Sequence, residues 1–132
     1  MDAEFVSAPG LYTGVPYSYA AVAPAGRLVF TAGACPLDEA GAIVAPGDVE
    51  VQARRALENL VVVLAAAGAA VPSSIVKTTV FVASADGSDL VCAWRVVEAG
   101  LQPARPPSTL LGVAALGYPG QLVEIEAVAI AR

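Results

Sequence analysis

The sequence predicts an α+β fold in which two helices lie on one face of a sheet. Three observations carry this. Strand-like and helix-like segments follow in the order β-β-α-β-α-β-β. Each helical segment lies between two strand segments, and such crossovers within one sheet are right-handed, which puts both helices on the same face. Apolar residues make up 57% of the 132 residues and charged ones 14%, a rich apolar content for a small domain. The bare sheet face therefore calls for cover from another subunit. The length predicts a single domain over residues 1–132.

Residues 1–16, rich in Gly, Pro and small side chains, read as an extended lead-in. SYAAVA (18–23) and RLVFTAGA (27–34) flank a PAG turn and predict a hairpin. PLDEAGAIVAPG reads as a loop with room for a short strand at 42–44. The first helix opens on Asp48 as N-cap, with Glu50 in the first turn where the helix dipole favours negative charge. Val49, Ala53, Ala56, Leu57, Leu60, Val61 and Leu64 form its apolar stripe, and Gly68 suits a left-handed stop. SIVKTTVFVAS (74–84) is a β-branched strand of the kind covered on both faces. SDLVCAWRVVEAG (88–100) is the second helix, capped by Ser88 or Asp89 and stopped by Gly100. A strand follows the prolines at 106–116, GYPG (117–120) turns the chain, and 121–131 is the last strand.

Composition removes several function classes. There is no histidine, so Ser-His-Asp, Cys-His and His-ligated metal chemistry are excluded. Proton transfer falls to Glu, Asp, Tyr, Cys, Lys or water. The net charge is −5, Lys77 is the only lysine and the arginines do not cluster, which argues against nucleic acid as a partner. The apolar run Leu60 to Val71 is shorter than a membrane span, and the acidic N-terminus lacks a signal-peptide pattern. No membrane partner and a cytoplasmic location are expected. Cys35 and Cys92 fit neither a disulfide framework nor a metal spacing, and no metal is expected. Cys35 lacks the adjacent base a nucleophilic thiol needs. Arg54 and Arg55 read as a solvated helix face, and no phosphate loop occurs.

Four stretches together, PYSYAAVAPAGRLVFTAGACPLD, DVEVQARRALENLVVVLAAAG, IVKTTVFVAS and LVEIEAVAIA, resemble the Rid/YjgF family of reactive intermediate deaminases, also labelled L-PSP. The resemblance runs from about Pro16 to Arg132. It implies a chorismate-mutase-like fold, a homotrimer with a barrel-like core of three sheets, and clefts between subunits. It implies hydrolysis of 2-imino or enamine acids to 2-keto acids and ammonia, with a small-molecule metabolite as partner and no metal or organic cofactor.

The resemblance assigns residues one at a time. Tyr17, in PYS, matches the pocket tyrosine, and Gly33, in TAGA, the glycine whose N–H faces the ligand. Glu124 matches the glutamate that holds the attacking water, and Glu126, on the same strand face, a glutamate read as structural. Lys77 belongs to the strand wording without a covalent role.

Three positions depart from the family. Ala32 stands where a serine is usual, and Trp94 where an asparagine is frequent. Counted back from GVAAL without a gap, the carboxylate-binding arginine position falls on Ser108, and Leu110 takes the place of the pocket carbonyl donor. Arg105 lies in a Pro-Ala-Arg context but three residues earlier, ahead of Pro106 and Pro107, and its long side chain keeps it a candidate substrate-binding residue beside Ser108. The pattern looks like the subgroups lacking that arginine. The expected function is hydrolase- or deaminase-type chemistry on a small reactive imine- or enamine-like intermediate, not efficient general 2-imino acid deamination. The alternative is a trimer that binds a small metabolite without turnover. A ribonuclease reading is opposed by the acidic charge and the absent histidine.

Overall fold

A computed structural model describes residues 2–69 and 72–132. The last residues of the apolar run ending at Val71 lie outside the described ones. Two short strands, β1 (Glu4–Val6) and β2 (Ala20–Val22), pair antiparallel. The main sheet holds β3 (Arg27–Phe30), β4 (Ile75–Val82), β5 (Ser108–Gly112) and β6 (Val123–Ala131) in the order β3-β6-β4-β5. Only β4 and β5 run parallel; β6 is antiparallel to both of its neighbours.

The expected hairpin does not form. β2 pairs with β1, inside the stretch expected to be an extended lead-in, and β3 pairs with β6. A Pro/Gly turn permits a hairpin but does not compel one, because a distant partner can satisfy the same edge. The short strand expected at 42–44 is reduced to an isolated bridge between Leu37 and Ile43.

Helix α1 (Val49–Ala66) is capped by Asp48, whose side chain accepts from Val51 N at 3.1 Å. Gly68 follows the helix with φ +81°, the left-handed stop its position predicts. Helix α2 (Gly87–Leu101) is capped by Asp86 rather than by Ser88 or Asp89. Asp86 Oδ1 accepts from both Ser88 N and Ser88 Oγ, while Asp89 accepts from Ser84. Gly100 does not stop this helix. It lies inside it, where a Cβ would overlap Leu57, so it permits close approach of the two helices.

Both helices pack on the same sheet face and on each other. Leu57, Leu60 and Leu64 of α1 and Ala93 and Val97 of α2 meet Ile75, Val80, Val82, Val123, Ile125 and Ala127 of the sheet. The other face is open. It carries Phe30, 72% exposed, and Leu111, 42% exposed, beside the half-buried Phe81 and Val128. No helix among the described residues is long and apolar enough to cross a membrane.

One buried side chain ties the sheet ends to the helix layer. Gln52 of α1 is fully buried. Its Nε2 donates to Gly120 O at 2.9 Å and Ala45 O at 3.3 Å, and its Oε1 accepts from Leu122 N at 2.7 Å. Asn59 does the same for another loop, donating to Cys35 O at 2.9 Å and Leu37 O at 3.0 Å. A buried donor or acceptor stripped of its partner costs about 1–3 kcal/mol. Gln52→Leu, which strands three backbone groups, is expected to lower the unfolding free energy by about 2–4 kcal/mol in urea titrations.

Candidate functional site

The candidate residues fall into two clusters. The first gathers around Glu124 of β6, which pairs with Phe81 in the sheet and projects from the open face. The extended segment after β3 runs beside it, joined to β6 by reciprocal hydrogen bonds between Ala34 and Ile125. Gly33 therefore lies against the Glu124 side chain, and a Cβ there would overlap the carboxylate at Oε2. A glycine here lets the carboxylate keep this close position, which a side chain at 33 would force it to leave. Ala32, next to it, is exposed.

Glu124 is half-buried and held on one oxygen. Gln121 Nε2 donates to Oε1 at 3.2 Å, and the Cys35 thiol donates to the same oxygen at 3.3 Å. Burial, together with the hydrogen bond and negative charge of Glu124, pushes the Cys35 thiol from 9.0 up to about 11. Cys35 is thus a neutral donor at ordinary pH and not a nucleophile. Glu126 projects from the same face opposite Thr79, and Lys77 donates to Thr109 Oγ1 at 2.6 Å.

The second cluster lies beside the start of β5. Pro16, Tyr17, Trp94, Ser108, Thr109 and Leu110 line a cavity of about 410 Å³. Tyr17 stacks edge-to-face on Tyr19, ring centroids 5.9 Å apart. The Ser108 hydroxyl is hydrogen-bonded to Thr78, which is fully buried, and donates to Pro106 O at 3.0 Å. Leu110 packs on the core.

Arg105 does not line this cavity. Its guanidinium donates to the carbonyls of Val15 and Pro16, and its own carbonyl accepts from Ser18 N at 2.9 Å. It lines an adjacent cavity of about 460 Å³ with Thr13, Ser18 and Tyr19, and Tyr17 forms the wall between the two. Arg105 therefore ties down the segment that presents Tyr17.

Within one chain the structure brings together Gly33 and Glu124, and separately Tyr17, Trp94, Ser108 and Leu110. Gln121 and Cys35 are the additions that sequence reasoning did not assign to the site. A cavity of about 1080 Å³ lies between the helices and contains none of the candidate residues. It is an open groove over Leu57, Val61, Val91 and Val96, remote from the chemistry. Among the described residues, no group of three Cys, Asp or Glu side chains could hold a metal ion.

Residues 8–131 match the family model described as Endoribonuclease L-PSP. The chain is 38% identical over 115 residues to Protein DfrA of Myxococcus xanthus, covering 87% of this chain and 85% of that one. It is 36% identical over 115 residues to the mouse 2-iminobutanoate/2-iminopropanoate deaminase, covering 87% and 81%. A Rid-family protein of unknown function from Yersinia pestis, YyfB, superimposes with a TM-score of 0.90 at 30% identity, over 98% and 99% of the two chains. TdcF of E. coli with bound serine does so with a TM-score of 0.69 at 33% identity, over 100% and 99%.

The thiol's environment makes a stability prediction. A thiol pushed up on folding stabilises the folded state fully below its unfolded value of 9.0, and that contribution is lost as pH rises through about 11. Urea titrations between about pH 8 and pH 11 should show wild-type stability falling more steeply than that of Cys35→Ala.

Proposed function

The chain belongs to the Rid/YjgF (Endoribonuclease L-PSP) family, and on that premise we propose that it hydrolyses a small, uncharged imine or enamine. The site would lie in clefts between the subunits of a cytoplasmic homotrimer. The observation that carries this reading is Glu124, a carboxylate with one oxygen held by protein donors and the other left for a water.

The chemistry follows from that group. The water oxygen adds to the imine carbon while its proton passes to Glu124 Oε2. The C=N electron pair moves to nitrogen, which takes that proton back from Oε2; an enamine enters this step after tautomerising to the imine. The resulting carbinolamine collapses to a carbonyl compound and releases the amine or ammonia. No electrons are gained or lost.

Assembly supplies what a single chain lacks. Ser108 pairs with Thr78 on the helix-covered face, whereas Glu124 pairs with Phe81 on the open face. A neighbouring subunit seated on the open face would cover Phe30 and Leu111 and bring an aromatic cavity toward Glu124.

The substrate's charge is argued from Arg105 and Ser108. The guanidinium is committed to Val15 and Pro16 and the hydroxyl to Thr78, so neither Arg105 nor Ser108 offers a carboxylate grip in the aromatic cavity, and the ammonium of Lys77 is engaged by Thr109. Losing a bidentate grip on a carboxylate costs roughly 2–5 kcal/mol, a factor of about 30 to several thousand in productive binding. The mouse relative is named for imino acids, and this chain departs from it in substrate on this reading.

The test generates imines in situ, one series with a carboxylate and one without, and follows loss of the C=N absorbance. We expect hydrolysis of the uncharged series, abolished by Glu124→Gln, with 2-iminopropanoate at least about 30-fold slower. Robust 2-iminopropanoate turnover that Arg105→Ala destroys would overturn the substrate assignment. Binding of both series without turnover would leave a metabolite-binding protein. Light scattering should give three times the 13.2 kDa chain mass; a monomer sinks the cleft.

A further inference from the structure

The two oxygens of Glu124 have different surroundings, and this difference has a use if Glu124 holds the attacking water, the reading on which the inference rests. Oε1 accepts from Gln121 Nε2 at 3.2 Å and from Cys35 Sγ at 3.3 Å. Oε2 lies against Gly33 and receives no hydrogen bond from the described residues.

Gln121 is 3% exposed and its amide is fully engaged. Its Oε1 accepts from Tyr118 N at 3.2 Å, while Nε2 donates to Val123 O at 3.2 Å as well as to Glu124. A backbone N–H can only donate, so Tyr118 fixes which end of the amide faces the carboxylate. Cys35 is fixed from the other side, its backbone carbonyl held by Asn59 and its thiol also within 3.6 Å of Gly33 O. A carboxylate free to rotate presents either oxygen to a water. One gripped by two donors on a single oxygen presents only the other.

We propose that Gln121 and Cys35 are positioning residues that reserve Oε1 of Glu124 for the protein and leave Oε2 as the one oxygen that takes a proton from the attacking water. Neither residue touches the reacting atoms. Gln121 acts through the N–H it aims at Oε1, and Cys35 through its retained proton.

The ionisable groups around the thiol make the grip measurable without any substrate. Burial first and Glu124 second raise the thiol's pKa, and Gln121 opposes that rise. Arg55 of α1 is turned to Leu37 O and Glu39. The probe is iodoacetamide, and alkylation of Cys35 is followed by mass spectrometry in a Cys92→Ser background at about pH 9. Glu124→Gln should speed alkylation several-fold, and Gln121→Leu should slow it. Equal rates in folded wild type and both variants would overturn the grip.

Kinetics on an imine that the wild type hydrolyses give the second readout. Gln121→Leu and Cys35→Ala should each lower kcat about tenfold, with KM within about twofold. Cys35→Ser, which keeps an O–H donor, should restore most of kcat. A rise in KM alone, or no rescue by serine, would overturn the positioning role. Should Gln121→Leu fail to fold, the Cys35→Ala and Cys35→Ser pair still decides it. A wild type that hydrolyses no imine fails the function reading, while the alkylation rates still judge the grip.

Discussion

The polar end of this molecule hangs on one buried amide. Gln52 joins the loop at Ala45, the turn at Gly120 and the start of β6 at Leu122 to a single rigid helix. Asn59 lies two turns further along α1 and projects on the same side, where it holds the carbonyls of Cys35 and Leu37. The two segments that present Cys35 and Gln121 are thus anchored to the same scaffold. Their distance from each other, and from Glu124 between them, is set by the rise of an α-helix and not by loop conformation. Two glutamines and an asparagine make hydrogen bonds here that loops alone would exchange with water.

The open sheet face is mixed in character. Phe30, Phe81, Val128 and Leu111 supply apolar area, while Lys77, Glu124 and Glu126 stand among them. Apolar burial is non-directional and contributes about 25 cal/mol per Å². Charges in the same patch are costly to bury unless paired. Such a surface is suited to one docking orientation more than to indiscriminate adhesion, because a slipped register leaves a carboxylate or an ammonium stranded.

Much of the architecture was legible in the residues. Asp48, the apolar stripe of α1 and Gly68 gave that helix its start, face and stop, because each of those signals acts within a few residues. The last strand and the open face were likewise readable from alternation and composition. What escaped depends on partners far away in sequence. β1 is a three-residue strand whose identity comes only from pairing with β2. The run Ser-Ala-Asp-Gly-Ser-Asp offers several caps, and only the structure shows Asp86 taking Ser88. Gly100 looked like a helix terminator because its packing against Leu57 is tertiary. Glu124 and Gly33 were candidates through family wording and lie together in the fold, whereas Gln121 was not a candidate. An amide's role depends on which backbone N–H orients it, and nothing local announces Tyr118 as that group. The partners of Arg105, at Val15 and Pro16, are equally remote.

Ser108 has an implication for how such sites diverge. Its hydroxyl is turned into the helix-covered side of the sheet, against the fully buried Thr78. A larger cationic side chain at that position would have to give up the contact with Thr78 and strand a buried hydroxyl. Point substitution at 108 is therefore a poor route to a carboxylate-gripping site. Shortening the Pro106–Pro107 stretch, which would carry Arg105 toward the start of β5, is a more direct one. A change in loop length would thus move Arg105 relative to β5 while leaving the contact of Ser108 with Thr78 in place.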